Sequence, residues 1–146
     1  MRLAQQIETH IHTGDAADTV TLDYEARFLR RKRLISDAGE PFLVELAETR
    51  SLSQGDGFRL DDGRIIAVMA AAEPLLAVRH SNLARIAWHV GNRHTPCQIA
   101  DDHILIREDK VLQAMLEGLG ASVTQVTAPF TPEGGAYGHG RTHGHE

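Results

Sequence analysis

Leu75-Leu76-Ala77-Val78-Arg79-His80-Ser81-Asn82-Leu83-Ala84-Arg85-Ile86-Ala87-Trp88-His89-Val90-Gly91 changes its apolar period partway along, and that change decides the fold. The short apolar run Leu75–Arg79 predicts a strand. Ser81 is placed to cap a helix over Asn82–Val90. Leu83, Ile86, Ala87 and Val90 would line one face of it, and Gly91 would stop it. Downstream the alternation continues. Cys97–Ala100 and His103–Arg107 predict two short strands around Asp101-Asp102. Asp109 precedes a second helix, Lys110–Leu119, with Val111, Leu112, Met115, Leu116 and Leu119 as its apolar stripe before Gly120. Ser122–Ala128 predicts a closing strand. The order βαββαβ is that of a ferredoxin-like split βαβ fold.

Upstream the texture differs. From Met1 to about Ala72 no long helical period is present. Short β-type runs predict strands at Leu3–Ile11, Thr19–Leu22, Phe28–Ser36, Phe42–Leu46, Gly57–Leu60 and Ile65–Ala70, parted by turn residues. Asp62-Gly63 before Arg64, flanked by Leu60 and Ile65, is a hairpin signal because such a turn needs positive φ. Ala70-Ala71-Ala72-Glu73-Pro74 is a junction, since proline restricts its predecessor and opens a new extended run. The expectation is therefore an α+β chain. It has a β-rich domain over 1–72, a ferredoxin-like domain over 75–130, and a Gly-, Pro- and His-containing tail over 131–146.

Bulk properties narrow the function. The 146 residues allow one domain or two small ones, and small domains gain stability by pairing with a second copy. A net charge of −5 argues against a general nucleic-acid or anionic-membrane binder. The single cysteine, Cys97, excludes an internal disulfide and fits a reducing compartment. Nothing in Met1–His10 resembles an export signal, and no stretch reaches the 18 apolar residues of a membrane span, so a cytoplasmic location is expected. No nucleophile elbow, phosphate loop, His-Glu-x-x-His helix or cysteine pair marks an enzyme.

Histidine supplies the chemistry. Ala136-Tyr137-Gly138-His139-Gly140-Arg141-Thr142-His143-Gly144-His145-Glu146 ends the chain with three histidines spaced by glycine. Imidazole is the commonest ligand for late first-row metals, and glycine would leave such a tail loose enough to wrap an ion. It is not the unbroken run of a purification tag. The second concentration is Trp88-His89-Val90-Gly91-Asn92-Arg93-His94-Thr95-Pro96. Gly91 and Asn92 suit a left-handed helix exit that would throw Arg93 and His94 onto a loop, where His94 is a metal ligand or a surface contact. His89, in the last helical turn, suits a capping role.

That run, continued as Cys97-Gln98-Ile99, resembles the Trp-His-x-Gly-Asn-Arg-His core of the UreE family of urease accessory proteins, which are nickel metallochaperones. Glu108-Asp109-Lys110-Val111-Leu112 with Met115-Leu116 resembles the family's second helix. Pro129-Phe130-x-Pro132-Glu133-x-Gly135-Ala136-Tyr137 resembles its exit to a His-rich tail, and Asp61-Asp62-Gly63-Arg64 the end of its first domain. The resemblance implies a β-rich domain likened to a peptide-binding module, followed by a ferredoxin-like metal-binding domain. It implies a cytoplasmic homodimer in which His94 of each subunit meets one interfacial nickel ion, with water or His139, His143 and His145 completing the shell. Zinc or copper would compete for the same ligands. Implied partners are an accessory GTPase, UreG, and the urease apoprotein complex. Two departures matter: Glu108, Asp109 and Lys110 stand where some relatives have His-Asp-His, and the tail has three histidines rather than a long run. Transfer of few ions is implied, not storage of many.

Other features stay open at this level. The basic run Arg27, Arg30, Arg31, Lys32 and Arg33 is a solvated β-face or a dock for an acidic protein; RNA binding would need stacking aromatics that the C-terminal half lacks. Cys97 is a small buried hydrophobe or a soft ligand. His10 and His12 would share a face of the first strand, His80 has no evident partner, and His103 suits a surface role. The competing function is a passive nickel, zinc or copper buffer without a urease partner.

Overall fold

Alternating apolar residues organise the N-terminal half as sheet. A computed structural model describes residues 1–134. The chain divides into two units, Met1–Ala71 and a second beginning at Ala72. The first holds β1 (Arg2–Glu8), β2 (Asp18–Leu22), β3 (Phe28–Ile35), β4 (Pro41–Ser51), β5 (Gly57–Leu60) and β6 (Ile65–Ala70). They form one sheet in the order β2-β6-β5-β1-β4-β3. Its inward residues, among them Val20, Phe42, Val44, Phe58, Ile66 and Val68, are almost wholly buried, and the Phe42 and Phe58 rings meet at 5.5 Å.

Asp37 draws the two outer strands together. It follows β3, yet its carboxylate accepts from the Thr19 and Thr21 hydroxyls of β2 at 2.6 and 2.8 Å, and its N–H donates to Thr19 O. The sheet is thereby curled until its edges meet at one end. The expected hairpin is present: Gly63 has φ +90° between β5 and β6, which pair antiparallel.

Three expectations for this unit need correction. β4 was expected to stop at Leu46 but continues to Ser51, because a register shift between Leu29 and Arg31 lets it stay paired with β3. β1 ends at Glu8 rather than Ile11, and His10 turns the chain with φ 58°, so His10 and His12 do not share a strand face. Arg27 does not belong to an exposed basic run. It is 1% exposed, its guanidinium donating to Leu52 O and Leu22 O and lying over the Tyr24 ring.

The second unit runs β7 (Ala72–Arg79), α1 (Leu83–Asn92), β8 (Gln98–Ile99), β9 (Ile104–Arg107), α2 (Lys110–Gly118) and β10 (Ser122–Pro129). Its strands pair antiparallel in the order β10-β7-β9-β8. β7 starts at Ala72, earlier than Leu75. Pro74 is tolerated because that end of β7 pairs only with β10, so its missing N–H breaks nothing toward β9. Ile86 and Val90 of α1 and Leu112 and Leu116 of α2 pack with Leu76, Val78, Ile104 and Ile106. Asn82, not Ser81, caps α1 by accepting from Arg85 N, while Asp109 caps α2 by accepting from Leu112 N. Val111 leaves the expected stripe and is 69% exposed. No helix among the described residues is long and apolar enough to cross a membrane.

Candidate metal centre

The site is built by the end of α1. Arg93 is the cap residue, and His94 after it takes φ 57°. His94 N donates to Gly91 O at 2.9 Å and Thr95 N to Val90 O at 3.3 Å. That pair of bonds is a Schellman motif, whose left-handed position is usually glycine. The same unit contains the ordinary version. At the end of α2, Gly120 has φ +90° and donates to Glu117 O, while Ala121 N donates to Leu116 O. Thus His94 occupies the place that Gly120 occupies in its sister helix. The expectation that Gly91 and Asn92 would be left-handed is corrected, since both are the last helical residues. The consequence for His94 is an exposed imidazole on a backbone fixed by two main-chain bonds.

Neighbouring chemistry is sorted by its partners. Trp88, one turn back on α1, is 63% exposed and meets the His89 ring edge-on at 5.0 Å. Cys97 is half-buried against the core; burial first, and the Glu133 carboxylate second, push its thiol pKa up, which disfavours the thiolate a metal would need. Asp109 spends one carboxylate oxygen on the α2 cap. His103 pairs with Asp102 at 2.6 Å, and that bond holds the Asp102 carboxyl below the usual carboxylate range.

His80, for which the sequence offered no partner, has two. Its Nδ1 accepts from Asn82 N at 2.8 Å and its Nε2 lies 3.2 Å from Leu119 O, tying the start of α1 to the end of α2. The Nδ1 acceptor role leaves the proton on Nε2, facing the carbonyl.

A strap that is not legible in the sequence also leads back toward this turn. The chain leaves β10 at one edge of the sheet and is hydrogen-bonded to β8 at the other edge within two residues. Thr131 N donates to the Gln98 Oε1 at 2.9 Å, and Glu133 N donates to Cys97 O at 2.8 Å. This returns the chain to within three positions of His94. No side-chain motif announces such a crossing; only the sheet order reveals it. His139, His143 and His145 lie outside the described residues. Among the described residues no three His, Cys, Asp or Glu side chains are gathered to hold an ion.

Comparison with known proteins adds the family. The profile for the UreE urease accessory protein N-terminal domain matches residues 2–71, and that for its C-terminal domain matches residues 73–146. The chain is 59% identical to the urease accessory protein UreE of Ruegeria pomeroyi over 134 residues, covering 92% of this chain and 90% of that one. It is 59% identical to the protein of the same name from Rhodobacter capsulatus, covering 90% and 83%. With that of Paracoccus denitrificans the identity is 63%, covering 84% and 79%.

Proposed function

The chain belongs to the UreE family of urease accessory proteins, and we propose that it is a nickel-binding metallochaperone that delivers Ni(II) for assembly of the urease active site. The family is one of accessory chaperones, not of enzymes. The observation that carries the metal assignment is His94: an exposed imidazole in the left-handed seat of a helix exit, where fold stability alone would favour glycine.

One imidazole is too few for nickel, which takes several nitrogen and oxygen ligands. A cytoplasmic homodimer related by a two-fold axis would bring two His94 side chains to one ion. His139, His143 and His145 would add to that shell. From Glu133, seated beside Cys97, the six residues to His139 reach up to ~20 Å, which covers the His94 turn. A shell completed this way surrenders its ion more readily than a closed four-ligand site. The receiving partners would be the accessory GTPase UreG and the urease apoprotein. Zinc and copper would compete for these ligands, with copper favoured on affinity alone, so selectivity rests on geometry and supply. The order and pairing of β7 to β10 support a ferredoxin-like metal-binding domain over 75–130, with 1–72 as a peptide-binding-like domain and 131–146 as the tail.

Titration calorimetry of His94→Ala tests the assignment. A four-ligand zinc site is worth ~10–16 kcal/mol, so one ligand contributes roughly 3 kcal/mol, about 100-fold in affinity, and a dimer loses two. The tightest nickel event should vanish while fold and dimer persist. An unchanged tight event would sink the proposal. Retained nickel binding with no gain in urease activation would instead favour a passive buffer.

A further inference from the structure

The strap sets a carboxylate beside the metal turn. Phe130 is wholly buried, Thr131 N donates to the Gln98 side chain and Glu133 N to Cys97 O, so the main chain is held on both sides of Pro132. Glu133 is therefore fixed next to Cys97, three residues from His94, and three residues span at most ~11 Å. Its side chain is exposed and forms no ion pair among the described residues. Asp102 and Asp109 of the same unit are taken up, by His103 and by the α2 cap.

The chemistry of the ion says what such a group can do. Nickel(II) and copper(II) favour tetragonal sets of nitrogen and oxygen donors, and a deprotonated carboxylate is an oxygen donor that also neutralises charge. Within one subunit no three ligand-type side chains are gathered among the described residues, so the set is completed from outside it. Two-fold symmetry doubles whatever each chain supplies. One imidazole from His94 and one carboxylate from Glu133, taken twice, make two nitrogens and two oxygens. Anchoring matters too. A donor held by its own main chain loses less freedom on binding than one on a loose chain.

We propose that Glu133 is a further nickel ligand, its carboxylate joining His94 of each subunit in a set of two nitrogens and two oxygens. This rests on the nickel reading above and deepens it. Water or a tail histidine then fills only the positions that this set leaves open. The strap thereby has a task beyond directing the tail: it delivers the first oxygen donor of the C-terminal segment to the turn that carries the imidazole.

The test uses the full chain and nickel chloride. In titration calorimetry Glu133→Gln should weaken the tightest event by about tenfold or more, with the unfolding temperature unchanged because the side chain is exposed. The loss should persist in about 1 M sodium chloride, where a charge is screened beyond ~3 Å and only direct ligation survives. A second variant turns proximity into a signal. Glu133→Cys, made with Cys97→Ala so that one thiol remains, should show a near-ultraviolet nickel–thiolate charge-transfer band on loading, and Cys97→Ala alone should not. Glu133→Gln that binds like the unaltered protein overturns the inference. So does a loss that vanishes in high salt, which marks long-range attraction only, or a Glu133→Cys variant without the band. Failure of the nickel reading itself is seen separately, as a His94→Ala variant that keeps the tight event, and it would take this inference with it.

Discussion

At the scale of one residue, the left-handed seat after α1 sets fold stability against the metal role proposed for His94. Histidine tolerates positive φ better than most residues but less well than glycine. His94→Gly should therefore stabilise the fold by about 0.5–1 kcal/mol, seen as an unfolding temperature higher by a few degrees, while abolishing the tight nickel event. The sister position supplies the control: Gly120→Ala, at φ +90° with no steric obstruction, should destabilise by a similar amount through backbone strain alone. A melting temperature lowered by His94→Gly would mean the imidazole itself holds the turn. That seat was not legible in the sequence. Gly91 and Asn92 have the stronger left-handed preference, but the helix runs through them because its closing bonds reach back from Thr95 to Val90 and from His94 to Gly91. The loop and its histidine were legible; which residue bears the strain was settled by spacing, not by propensity.

At the scale of elements, both helices and all ten strands were foreshadowed by apolar periodicity, and the errors lie where distant partners decide. The extra length of β4 depends on a register shift in β3, and no property of Ala47–Ser51 announces it. The α1 cap moved by one because Ser81 and Asn82 are both good cap formers. The curl of the first sheet was invisible because it rests on Asp37 reaching two threonines of β2, sixteen and eighteen residues away. That contact has a pH signature. The Thr19 hydroxyl, chiefly, holds the Asp37 carboxyl below its ordinary value, and Arg64 does the same to Glu40 and Asp62 with its side-chain and main-chain donors. A carboxyl depressed in the folded state stabilises fully above its unfolded pKa, near 4, and loses that contribution as pH falls through the folded value. The unfolding temperature should hold from about pH 7 to 5 and drop below about pH 4. Asp37→Asn should be less stable at neutral pH and should show a shallower acid decline. An equally steep decline in that variant would remove Asp37 from the account.

At the scale of the whole molecule, two cores that share no residue carry the chain, and the strap from Phe130 to Gly134 decides where its last segment starts. Truncation after Gly134 keeps both strap bonds. The shortened protein should stay folded and retain the His94-dependent nickel event with lower affinity or stoichiometry. It should activate urease less well than the full chain when nickel is scarce, and equally well when nickel is abundant, because a tethered ligand acts at an effective concentration of order millimolar. Urease activity across a nickel series checks this; truncation that abolishes all binding would make the tail the primary site. The strap also has a bearing on laboratory practice. A histidine affinity tag fused after Glu146 would begin only thirteen residues beyond the Glu133 bond to Cys97, a stretch that spans at most ~45 Å. Such a tag would sit within range of the His94 turn and inflate every metal count and affinity measured on the purified material, so stoichiometry belongs to protein tagged at Met1 or with the tag removed.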